Sequence, residues 1–132
     1  MTGKTLAKNM AGRRLSLIYV TFDIEGIHAW KDAPEEVAFL RNDHRHLFKY
    51  KVHIEVKHND RDIEFFLFQR EMLEACATHP PYGSCEMRAE QLLEYLQNNY
   101  PGRNVSVEVS EDGENGAIVY FWSERKEMRY AS

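Results

Sequence analysis

His44-Arg45-His46-Leu47-Phe48-Lys49-Tyr50-Lys51-Val52-His53-Ile54-Glu55-Val56 is the stretch that sets the fold class. From Phe48 onward every second residue is apolar: Phe48, Tyr50, Val52, Ile54 and Val56. Alternate side chains of an extended strand share one face. The run therefore reads as a β-strand with one buried face. His44 and His46 keep the same parity, so both imidazoles project to that face, about 7 Å apart along the strand. Two ligands so placed suit one metal ion. A second run, Leu15 to His28, has the same period through Ile18, Val20, Phe22, Ile24, Gly26 and His28. It brings a third histidine to a strand end. Both parities of that run are rather apolar as far as Phe22, which allows cover on two faces.

The remaining elements follow outward from these two strands. Asp32-Ala33-Pro34-Glu35 resembles a helix start, with Asp32 as cap and Pro34 in the first turn. A short helix through Val37, Phe39 and Leu40 follows. After Val56, His58-Asn59-Asp60-Arg61 is a polar turn. Ile63 to Phe68 reads as a third extended run, making a hairpin with the strand His46 to Val56. Gln69 to Thr78 is expected to be helical, with Met72, Leu73 and Cys76 on one side. His79-Pro80-Pro81-Tyr82-Gly83 breaks it. Ser84 can cap a second helix, Cys85 to Asn98, with Leu92, Leu93 and Leu96 at helical spacing. Asn104 to Val109 and Ala117 to Trp122 are the last strands, joined by Asp112-Gly113-Glu114-Asn115-Gly116. The order is β(α)ββααββ, an α+β antiparallel sheet with two helices on one face.

The chain has 132 residues, 43% of them apolar and 12% aromatic, which suits one packed domain with a sizeable core. Residues 1–14 are expected to be a flexible arm, and 15–132 a single domain. A net charge of −4 argues against a nucleic-acid-binding surface. There is no secretory hydrophobic segment and no run of membrane-spanning length, so no membrane partner is expected and a cytoplasmic location is. The two cysteines, Cys76 and Cys85, stand nine residues apart. That is not a zinc-knuckle spacing, and buried free thiols explain them better.

Three neutral imidazoles from His28, His44 and His46 with one open position would form a catalytic-type zinc site. The open position would hold a water or a substrate oxygen. Six histidines in a chain of this length also produce such pairs by chance. His53 has the opposite parity, His58 lies in a turn and His79 precedes two prolines; all three read as structural or solvated. Glu111 keeps the parity of Val105, Val107 and Val109, so it points where the core points. A carboxylate there needs a partner: an Arg, or the N–H pair of an aminopyrimidinone ring. A capping or turn role is the alternative. Glu86, at a helix start, is explained equally by the helix dipole.

Together these features resemble the 6-pyruvoyltetrahydropterin synthase and 6-carboxytetrahydropterin synthase family, which has the tunnelling fold. The stretches that carry the resemblance are Phe22-Asp23-Ile24-Glu25-Gly26-Ile27-His28 and His44-Arg45-His46 leading into a strand. Ser84-Cys85-Glu86-Met87-Arg88-Ala89-Glu90 looks like the family's Pro-Thr-Ser-Glu-Asn helix start, and Val107-Glu108-Val109-Ser110-Glu111 precedes a turn and Tyr120. The match runs from about Ile18 to Tyr120. The resemblance implies Zn²⁺ on His28, His44 and His46, and Glu111 as the residue that anchors a pterin ring. It implies a homo-oligomer closing into a barrel, commonly a hexamer of two stacked trimers, with sites at subunit interfaces. It implies 7,8-dihydroneopterin triphosphate as the usual substrate, lyase chemistry, and a branch that feeds 7-deazaguanine and queuosine synthesis.

The chain departs from that family at two places. The family's catalytic cysteine lies shortly before the His-X-His pair, where this chain has Val37-Ala38-Phe39-Leu40-Arg41-Asn42-Asp43. Its Asp-His pair between the helices is matched only by Ala77-Thr78-His79-Pro80-Pro81. Without a thiolate and its proton relay, the usual acid–base steps lack their residues. Altered chemistry and non-catalytic binding of a pterin or purine-like ligand are the two outcomes that follow.

Overall fold

The structure is a computed structural model and describes residues 14–123. The expected arm over 1–14 thus lies outside the described residues, Arg14 apart. The elements are β1 (Ser16–His28), a 3-10 helix (Glu35–Arg41), β2 (His44–Val56), α1 (Phe65–Thr78), α2 (Cys85–Asn99), β3 (Val105–Glu111) and β4 (Asn115–Phe121). They form an antiparallel four-stranded sheet in the order β1-β2-β3-β4. No helix among the described residues is long and apolar enough to cross a membrane.

The period-2 residues make the core. Val20 and Phe22 of β1, Phe48 to Ile54 at alternate positions of β2, and Val105, Val107 and Val109 of β3 are buried on one face. The helices cover that face with Phe68, Met72 and Cys76 of α1 and Ala89, Leu92, Leu93 and Leu96 of α2. The opposite face is open. Tyr19, His53, Ser106 and Tyr120 form one cross-strand row on it, and Tyr19 is 56% exposed. Cover on both faces of β1 is therefore not observed.

One expected strand is absent. Ile63 to Phe68 does not pair with β2, and α1 begins within it at Phe65. The order is β(3-10)βααββ, with four strands in place of the five expected. Phe65-Phe66-Leu67-Phe68 is apolar at every position, so periodicity cannot assign it. Two other features decide. The Glu64 carboxylate caps the helix, accepting from Phe66 N at 2.8 Å and Leu67 N at 3.3 Å. Phe68, Met72 and Cys76 recur every four residues and form the buried stripe. Asp32 is likewise not a cap. The 3-10 helix starts after Pro34 with no side-chain cap. Ser84 does cap α2, accepting from Met87 N at 3.2 Å.

Candidate metal centre

Register alone brings the three histidines together. His28 at the end of β1 lies directly opposite His44 at the start of β2. Gly26 lies opposite His46, and Phe48 opposite Glu111 at the end of β3. The three imidazoles cluster with ring centroids 4.5–5.0 Å apart. One ligand atom from each lies within 4.8 Å of the other two, which makes them a set that can hold a metal ion.

Two of the rings are held by their other nitrogen. His44 Nδ1 lies 2.8 Å from the Asn42 carbonyl oxygen. His46 Nδ1 lies 2.7 Å from the Asp112 carboxylate. The backbone of Gly83 lies beside His28 and favours its protonated ring. A carbonyl or carboxylate only accepts, so His44 and His46 carry their proton on Nδ1. The Nε2 lone pairs of those two rings are left free. All three Nε2 atoms are buried and lack a hydrogen-bond partner. Such orphans are exceptions in folded proteins, and three at one point fit a bound cation. A metal-ligating histidine is typically oriented by this kind of second contact.

The supports come from three separate segments. Asp112 is the first turn residue after β3, with φ 57°, followed by Gly113 at φ 80°. Glu114 N donates to Glu111 O at 3.0 Å, so the tip is a type I′ turn built on Asp-Gly. That turn docks on β2. Asp112 N donates to Leu47 O at 2.8 Å, and Asp112 Oδ1 accepts from Leu47 N at 2.9 Å. The His46 bond is the main reason the Asp112 carboxyl stays below the usual carboxylate range.

Gly83 sits at φ +89°, and a Cβ there would lie 2.7 Å from Met87 Sδ. That φ and that close approach favour glycine here. Arg88 Nε donates to the Gly83 carbonyl at 2.9 Å. The Arg88 guanidinium also lies 3.8 Å over the Phe48 ring, and Phe48 packs edge-on against His28 and His46. Phe48 and Arg88 are thus the floor of the cluster.

A cavity of about 600 Å³ opens beside His28 and His44, with Trp30, Leu40, Met87, Cys85 and Glu111 among its walls. That volume suits a small-molecule ligand. Glu111 stands at the rim of the cluster. Its oxygens lie 3.5 Å from His28 Nε2 and 3.4 Å from His46 Nε2, beyond hydrogen-bonding range. The side chains nearest its carboxylate are these imidazoles, not an Arg. Burial lowers the pKa of His28, opposed next by the Glu111 charge, so the free ring tends to stay neutral.

The other sequence candidates lie elsewhere. His53 is on the open sheet face beside Tyr19, His58 pairs at 4.0 Å with Asp62, and His79 is exposed. Cys76 and Cys85 are free and buried. Burial pushes both thiols up to about 11, so neither supplies a thiolate. Sequence reasoning missed Asp112 and Arg88. The Asp-Gly turn signal was visible, but not its 66-residue reach to His46. Arg88 lies between Cys85 and Leu92 on the apolar stripe of α2, an unusual place for a charge.

No protein-family model matches the chain, and no curated protein matches it either. The four-stranded sheet, the two helices on one face and the three-histidine cluster are the coarse features of a tunnelling-type protein, and they rest on the structure alone.

Proposed function

We propose that the chain is a zinc-binding, tunnelling-fold protein of the pterin synthase type, taking a pterin or purine-like ligand such as 7,8-dihydroneopterin triphosphate. The observation that carries this reading is the set of three buried Nε2 atoms without partners, with the His44 and His46 rings pinned through Nδ1. His28, His44 and His46 would be the ligands, an all-imidazole set of the zinc type. When bound, the ion would act as a Lewis acid on a substrate oxygen. Glu111 would orient the ring, its carboxylate accepting from the N–H edge of an aminopyrimidinone placed in the adjoining cavity. The chain would assemble as a homo-oligomer, a hexamer of two trimers, through β1 and β4. These are the two edges of the sheet, and open edges invite pairing with another chain.

A second reading is favoured by the two thiols. With Cys76 and Cys85 buried and protonated, no thiolate serves the site. The protein would then bind or sequester its ligand without converting it. Incubating the zinc-loaded protein with 7,8-dihydroneopterin triphosphate, with mass spectrometry of protein-bound and free fractions, separates the two. A new pterin product supports the lyase. Retention of unchanged ligand supports the binder. Neither product nor retention contradicts both.

A further inference from the structure

We propose a second ligand site in the cavity between α1, α2 and the Pro80–Tyr82 connection, for a small molecule bearing a phosphate or carboxylate group, held by Arg88 and Tyr50. The cavity has a volume of about 380 Å³ and shares no lining residue with the one beside the histidines.

Arg88 is only 3% exposed. Two of its N–H groups reach backbone carbonyls, Nε to Gly83 O at 2.9 Å and Nη1 to Pro81 O at 3.3 Å. No carboxylate pairs with it among the described residues. Backbone carbonyls and the Phe48 ring offer partial charges, not a counter-ion. A buried cation without an anion is costly, and proteins normally pair it. Beside it, Tyr50 is 1% exposed, and its hydroxyl makes no hydrogen bond of good geometry although the guanidinium lies close. Burial keeps that phenol protonated, so it is a donor seeking an acceptor.

Arg88, which has no counter-ion among the described residues, and the unpartnered Tyr50 hydroxyl line the same cavity. The class of ligand follows from their sum. One guanidinium and one phenolic O–H are both donors, and an oxyanion accepts from both at once. The other titratable groups lining the space are His79, Tyr82 and Glu94 at its exposed rim and the Tyr95 phenol and neutral Cys76 thiol. No carboxylate lies in its depth. The Gln91 amide is committed to the Tyr82 backbone, donating at 3.0 Å and accepting at 3.2 Å, which holds one wall in place.

The test titrates the purified full-length chain with inorganic phosphate and, separately, with acetate. Ionic strength is held constant with chloride, and the readouts are the thermal midpoint and the Arg88 Nε–H NMR signal. The two arms distinguish phosphate from carboxylate as the recognised group. A saturable shift with at least one anion is expected. Arg88→Met should abolish it, Tyr50→Phe should weaken it about tenfold, the loss of one charge-assisted hydrogen bond, and His46→Ala should leave it unchanged. No saturable shift with either anion overturns the proposal. So does a response that persists in Arg88→Met, or one lost in His46→Ala, which would place the anion at the histidines. If Arg88→Met does not fold, Tyr50→Phe decides, and an unweakened titration there overturns the site.

Discussion

Two polar clusters sit at opposite ends of the same strands, and they are built on opposite terms. At the Val56 end of β2, the chain closes its own network. Asp62 accepts from Lys57 N at 2.9 Å and from Arg103 Nη1 at 2.8 Å. Arg103 also reaches the Glu55 carbonyl, Glu55 Oε1 accepts from Asn104 N, and Asn104 Oδ1 accepts from Ser123 N at 2.7 Å. Donors meet acceptors, and nothing from outside is needed. At the His44 end, the outward nitrogens of His44 and His46 are just as well partnered, while three inward nitrogens have no partner. A network that closes stabilises the fold. One that stays open at a single point is shaped for something the chain does not contain.

Substitutions at the two ends should therefore separate binding from stability. The largest effect is expected at the open end. His46→Ala should reduce bound zinc to less than about a tenth of an equivalent, by elemental analysis, with circular dichroism unchanged. Asn104→Ala at the closed end should do the reverse. Asn104 is 2% exposed, so the loss should cost about 1–2 kcal/mol in urea unfolding, with zinc content unaltered.

The next effect lies in the support around the rings. Asp112→Asn leaves the turn residue almost isosteric but removes the charge facing His46 Nδ1. Zinc affinity, measured by competition with a chromophoric chelator, should fall about 10- to 100-fold. Gly26→Ala tests the floor. Its Cβ would stand 2.8 Å from Phe48 Cε2 and 3.2 Å from Arg88 Nη1. A cost of about 1–3 kcal/mol in unfolding is expected, together with weakened zinc binding, because Phe48 must shift under His28 and His46.

The smallest effect concerns a histidine outside both clusters. Burial, then the Lys51 charge, depresses the pKa of His53 below its ordinary 6.5, against an opposing pull from Glu108. The unfolded chain then binds the proton more readily than the folded one. Its contribution to stability is full above about pH 6.5 and is lost as pH falls below that value. In His53→Phe, the acid limb of a stability-against-pH curve should be shallower, while zinc content at neutral pH stays the same.

How much of this was legible in the sequence depended on the range of the interactions. Period 2 is a local property, so the parity of His44, His46, His28 and Glu111 could be read directly, and the register of β1 on β2 then did the rest. The Phe65–Phe68 run defeated the same method, since an unbroken apolar run has no period. The Glu64 cap and the Phe68, Met72, Cys76 stripe decided for helix. The contacts that orient the rings were not readable at all. Asp112 reaches His46 across 66 residues, and Gly83 and Arg88 arrive from the helical half of the chain. They depend on how the turn and α2 pack on the sheet, which no local pattern encodes.

The most direct measurement is the metal content of the chain purified without added metal and then equilibrated with one equivalent of zinc and desalted. Elemental analysis should find about one zinc per chain, retained in the native protein and released on unfolding. Less than about a tenth of an equivalent, with the fold intact, would contradict the metal centre and the function proposed from it.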